Sequence, residues 1–165
     1  MCGIAGSVAL AADRPPPTFE DLTAMVASLR HRGPDEHGVY RDHKAGLGHA
    51  RLSIIDVRGG HQPMAGEDER VWVVFNGEIF NHLELRTELE SIGHHFRTRS
   101  DTEVIVHAWE AWGHDAFERL NGQFAIALWD TRDETLVLAR DRLGIKPLFY
   151  AATPTHVVFG SEVKA

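Results

Sequence analysis

The chain is predicted to be an α+β protein, a layered helix–sheet–sheet–helix sandwich (αββα) built from mostly antiparallel sheets. Three observations predict it. The run Phe124-Ala125-Ile126-Ala127-Leu128-Trp129 is apolar at every position, so a strand there must be covered on both faces. Asp130 to Glu134 joins it to the next apolar run as a hairpin loop, which implies antiparallel pairing. The helical periodicities fall mainly in the middle of the chain, between groups of strand-like runs.

The elements follow in order. Gly3 to Leu10 reads as a strand, and Ala11 to Pro17, with three consecutive prolines, as a stiff connection. Thr18 and Asp21 then form a capping pair at a helix start, with Leu22, Met25, Val26 and Leu29 repeating at helical spacing. Gly46 to Ser53 and Val71 to Phe75 are strands. A second helix fits Leu83 to Ile92, with Leu85, Leu89 and Ile92 on one face and Gly93 as its stop. A third fits Thr102 to Trp112, with Ile105, Ala108, Trp109 and Trp112 inward and Gly113 ending it. Gln123 to Trp129, Thr135 to Ala139 and Val157 to Phe159 complete the strands.

At 165 residues the chain is one domain, residues 1–165, with room for a hydrophobic core. A net charge of -7 argues against nucleic acid as a partner. No run approaches the roughly 18 apolar residues of a membrane span, and the start lacks the charged region of a secretory signal. A single cysteine excludes an internal disulfide, so a cytoplasmic setting is expected. The eleven histidines are scattered, and no metal site is expected from their spacing.

The lone cysteine, Cys2, follows Met1. If Met1 is removed, one residue carries both a thiol and a free amine, and the amine can serve as the base that activates the thiol. Alone, Cys2 reads better as a small buried apolar residue near the start of a strand. Polar clusters elsewhere shift that balance. Arg51 sits at an apolar strand end, as either a structural ion pair or a clamp for a ligand carboxylate. Asn76-Gly77 reads on its own as a tight turn, but its side-chain and backbone N–H groups could also form an oxyanion hole. Ser100 or Asp101 caps the third helix, and the Asp101 carboxylate could hold a ligand ammonium. Arg32-Gly33-Pro34-Asp35 and Arg140 to Pro147 read as charged loop frameworks. Together the clusters supply what an attack on the side-chain amide of an α-amino acid needs, which makes glutamine or asparagine the substrate class.

Met1-Cys2-Gly3-Ile4-Ala5-Gly6, His31 to Asp35, His49 to Asp56, Gln62-Pro63, Asn76 to Asn81, Ser100 to Glu103, Ala139 to Leu148 and Ser161 to Ala165, in this order, resemble the glutaminase domain of class II glutamine amidotransferases. The resemblance is strongest to the glutamine-hydrolysing asparagine synthetase group, because of Arg51 to Asp56 followed by Gln62-Pro63. Phe80 stands where that group more often has Tyr. The resemblance implies the N-terminal-nucleophile hydrolase fold, with Cys2 as nucleophile and its α-amino group relaying the proton. It implies Asn76 and Gly77 as oxyanion donors, Arg51 with the Leu52 to Ile55 backbone on the glutamine α-carboxylate, and Glu78 and Asp101 on its amino group. It implies no cofactor in this domain. ATP and magnesium would belong to a larger C-terminal synthetase domain that follows in the group and would be the partner here, with homodimerisation an open alternative. An amidotransferase with an acceptor other than aspartate, and a non-catalytic amino-acid-binding domain, are the other readings.

Overall fold

The computed structural model describes all residues except Ala12, Asp13, Ile55 and Val57. Among the described residues the chain forms nine strands and four helices. β1 (Gly3–Ala9) leads to α1 (Phe19–Ser28), β2 (Glu36–Arg41) and β3 (Ala45–Arg51). β4 (Met64–Ala65), β5 (Val71–Ile79), α2 (His82–Ser91) and α3 (Asp101–Trp112) follow. A short 3-10 turn and α4 (Ala116–Arg119) precede β6 (Gly122–Asp130), β7 (Thr135–Arg140), β8 (Phe149–Ala152) and β9 (His156–Gly160). One sheet has the order β2-β3-β1-β9-β8 and the other β4-β5-β6-β7, with antiparallel pairing throughout.

The two-faced apolar strand explains the layering. Phe124, Ile126 and Leu128 of β6 join Val73 and Phe75 of β5 in a core shared with Leu85, Leu89, Ile105 and Trp109 of α2 and α3. The alternate residues Ala125, Ala127 and Trp129 point the other way and meet Ile4, Val8, Leu47 and Phe159 between the sheets. On the far side, Ala5 and Ala50 pack under Val26 and Leu29 beside α1. Four layers result, and the predicted αββα sandwich is the observed fold.

Local chemistry sets the helix ends. Thr18 and Asp21 make the reciprocal capping box at the start of α1. The Ser100 hydroxyl accepts from the Thr102 N–H at the start of α3, and Gly113 leaves that helix at φ 55°. Two expectations are corrected. Asn76-Gly77 is not a turn, because β5 runs on to Ile79 and pairs Asn76 with Ala125 and Gly77 with Phe124. Sheet pairing over nine residues outweighs the local turn preference of the dipeptide. Ile92 does not share the buried face of Leu85 and Leu89 either. It lies just past α2, where the helical face no longer applies, and is 57% exposed.

Candidate active site

Cys2 immediately precedes β1, the middle strand of its sheet. Its thiol lies against the chain leaving β3: the Leu52 N–H donates to Sγ at 3.4 Å, and Sγ lies 3.6 Å from the Leu52 carbonyl oxygen. The Arg32 guanidinium donates through Nε to the Cys2 carbonyl at 3.0 Å and through Nη1 to Glu162 at 3.1 Å. Ser161 closes the same corner, accepting from the Ile4 N–H at 3.0 Å through its hydroxyl and donating its own N–H to the Ile4 carbonyl at 2.8 Å. The Arg32 loop and the Ser161-Glu162 segment therefore anchor the start of β1. The sequence reads Arg32 to Asp35 as a structural loop beside the site and gives Ser161-Glu162 no such role; the anchoring contacts join residues 30 to 157 positions apart.

A cavity of about 210 Å³ opens beside the thiol. Cys2, Arg51, Leu52, Asn76, Gly77, Glu78 and Asp101 all line it. Ile55 lies outside the described residues. Gln62, Thr102 and Lys146 also line the cavity, and no role was read for them from the sequence. Gln62 bridges two elements: its Nε2 donates to the Thr102 hydroxyl at 3.2 Å and its Oε1 accepts from the Phe75 N–H at 2.7 Å. Lys146 is buried, and its Nζ lies 3.6 Å from the Met1 Sδ. Its loop is held by Asp141, whose carboxylate accepts from the N–H groups of Phe124, Leu143, Ile145 and Lys146. That loop is the framework expected from Arg140 to Pro147.

β5 delivers the two candidate oxyanion donors. Asn76 is buried, and its Nδ2 has no hydrogen-bond partner among the described residues. An unpartnered buried amide donor costs roughly 1–3 kcal/mol, a cost the fold bears at the edge of the cavity. Gly77 has no room for a side chain, because a Cβ there would meet the Gln123 carbonyl oxygen at 2.1 Å. His49 fixes this stretch from the opposite sheet. Burial pushes its pKa down to about 4, so the ring is neutral, and its Nε2–H donates to the Phe75 carbonyl at 3.1 Å.

Charged groups ring the cavity. Arg51 is buried, donating to the Glu36 carboxylate at 2.7 Å and to the Asp56 carbonyl at 2.8 Å. Asp101 is buried at the first turn of α3 and accepts from the Ile79 N–H at 3.0 Å. Burial raises its pKa against the opposing pull of that hydrogen bond. Glu78 is exposed. A cation and a buried carboxylate thus border one cavity with a thiol and an unpartnered amide, a set that suits a zwitterionic amino acid bearing a side-chain carbonyl.

A glutamine amidotransferase domain profile matches residues 1–165. Asparagine synthetase [glutamine-hydrolyzing] 1 of Bacillus subtilis is 44% identical over 170 residues, spanning 100% of this chain and 26% of that protein. Asparagine synthetase [glutamine-hydrolyzing] 2 of Arabidopsis thaliana is 43% identical over 166 residues, with 100% and 28% covered. The chain therefore spans about a quarter of the length of these relatives. Among solved structures, glutamine phosphoribosylpyrophosphate amidotransferase from B. subtilis superimposes with a TM-score of 0.78 at 24% identity, covering 99% of this chain and 42% of that one. That likeness concerns the fold. Among the described residues, no helix is long and apolar enough to cross a membrane.

Proposed function

Because the chain belongs to the glutamine amidotransferase domain family, we propose that it hydrolyses the side-chain amide of glutamine to glutamate and ammonia through a thioester on Cys2. Removal of Met1 frees the Cys2 α-amine, which takes the thiol proton as sulfur attacks the amide carbon. The S–C bond forms and the carbonyl oxygen gains charge, which the Asn76 Nδ2 and the Gly77 N–H stabilise. The amine then passes its proton to the leaving nitrogen, the C–N bond breaks and ammonia departs. Water adds to the thioester, and glutamate leaves as the thiol reforms. Arg51 holds the substrate carboxylate, Asp101 and Glu78 its ammonium, and the Leu52 backbone orients the sulfur.

The unpartnered Nδ2 of Asn76 carries this reading. It is a buried donor placed on the cavity that Cys2 lines, and a developing oxyanion is the partner that would satisfy it. The similarity to glutamine-hydrolysing asparagine synthetases, which extend well past the matched region, supports delivery of the ammonia to an ATP- and magnesium-dependent synthetase portion that amidates aspartate. A cytoplasmic location fits the single unpaired cysteine.

Glutamate release from glutamine tests the reaction, with intact mass establishing that Met1 is gone. Cys2→Ala is expected to release none. Full activity in that variant would refute the covalent scheme.

A further inference from the structure

Away from the cleft, the outer helix layer holds a second group of ionisable side chains. His107, 1% exposed on α3, faces His94 from the segment after α2, with the two Nδ1 atoms 3.1 Å apart. Glu110, one turn further along α3, places its Oε2 3.1 Å from His107 Nδ1 and 3.6 Å from His94 Nδ1. Glu67, from the turn between β4 and β5, offers an exposed carboxylate. One donor atom each from Glu67, His94 and His107 lies within 4.8 Å of the others. Three separate stretches of chain converge here. The spacing of histidines along the sequence did not show this, because the fold rather than one helix face brings His94 to His107.

The triangle of His94 Nδ1, His107 Nδ1 and Glu110 Oε2 has the dimensions of a metal site. A tetrahedral zinc ion bound at about 2.0–2.1 Å holds neighbouring donor atoms about 3.3 Å apart, and the edges here are 3.1, 3.1 and 3.6 Å. Glu67 is exposed, with a carboxylate oxygen within 4.8 Å of the two histidine donors, and is the fourth donor. On the other side of the His107 ring, Nε2 faces the Glu103 carboxylate at 3.7 Å, beyond hydrogen-bond distance, and has no hydrogen-bond partner among the described residues. Glu103 is itself fixed by the N–H groups of Arg97 and Thr98 and the Thr98 hydroxyl. The Phe96 ring packs edge-on against His107 with centroids 4.5 Å apart.

We propose that His94, His107, Glu110 and Glu67 bind one zinc ion that ties the turn between β4 and β5 and the segment after α2 to α3. His95 and Arg97 also approach Glu67, His95 through its N–H at 2.7 Å to the carboxylate and Arg97 through its guanidinium to the Glu67 carbonyl.

The test uses untagged protein stripped with chelator and titrated with zinc chloride by calorimetry, with metal content measured after desalting and cobalt absorption as a probe of coordination. One zinc per chain is expected, together with a higher melting temperature and a tetrahedral cobalt spectrum. His94→Ala and Glu67→Gln should each weaken binding by about tenfold or more and leave glutaminase activity unchanged. Failure to take up zinc saturably, or uptake that both variants leave intact, overturns the site. Neither outcome bears on the glutaminase reading, which is assayed separately with glutamine.

Discussion

Arg51 and Glu36 form a close ion pair, Nη1 to Oε2 at 2.7 Å, across the β2–β3 pairing at the rim of the cavity. The arginine is therefore positioned by a carboxylate of its own chain while it lines the cavity beside Cys2. A pre-oriented guanidinium loses little freedom when a second carboxylate docks. Arg51→Ala is expected to raise KM for glutamine at least tenfold with a smaller fall in kcat, since a clamp holds ground and transition states alike. Arg51→Lys should fall between, as a point charge without the fork. Initial rates across a glutamine series decide it, and an unchanged KM in Arg51→Ala would leave the residue a purely structural role.

Asn76→Ala separates stability from catalysis. Losing one oxyanion donor typically costs about 10²–10³ in kcat. The same change removes an unpartnered buried donor, so the melting temperature should hold or rise. Paired melting curves and turnover measurements check both. A drop in melting temperature with normal turnover would make Asn76 a structural residue.

Asp101 gives a prediction with a pH sign. Burial raises its folded pKa above the unfolded value. The stability linked to its protonated form is present below the unfolded pKa and is lost as pH rises through the folded one. Ionised Asp101 therefore weakens the fold at neutral pH, and Asp101→Asn should melt higher than wild type at pH 7 by a margin that shrinks towards pH 4. The neutral amide would hold glutamine's ammonium poorly, so KM should rise. Scanning calorimetry at the two pH values, alongside kinetics, tests the trade-off.

In chelator, His107 and Glu103 set a stability window. His107 is raised to about 9, so its contribution is complete below its ordinary value near 6.5 and is lost as pH climbs through 9. Glu103 is lowered to about 2 by His107 and by its bonds to Arg97 and Thr98 in spite of burial. Its contribution is present above about 4.5 and is lost towards pH 2. The metal-free melting temperature should fall between pH 6.5 and 9, and His107→Gln should flatten that slope. An equal slope in the variant would remove His107 from the account.

Periodicity made the layers legible. The all-apolar strand and the inward faces of α1 and α3 needed only the pattern of side chains, and β6 carries those two faces into two cores. β2, β4 and β8 were not read from the sequence. β2 is polar and partly exposed, β4 has two residues, and all four residues of β8 are exposed, so none has a buried alternation to detect. Cys2, Arg51, Asn76, Gly77, Glu78 and Asp101 were legible by residue type, and the fold gathers them on one cavity. Gln62, Lys146 and the Ser161-Glu162 anchor were not, because their work depends on contacts made across the fold. Local preference misled at Asn76-Gly77, where the pairing of β5 with β6 decides the conformation.

The thioether of Met1 borders the cavity beside the buried Lys146 ammonium. A chain that keeps Met1 would thus be latent, its base locked into a peptide bond and the thioether standing at the wall of the cavity. Trimming by a processing peptidase would start the chemistry and remove the thioether in one cut. Preparations made faster than that peptidase can keep pace should show activity in proportion to the trimmed fraction, whatever their fold quality.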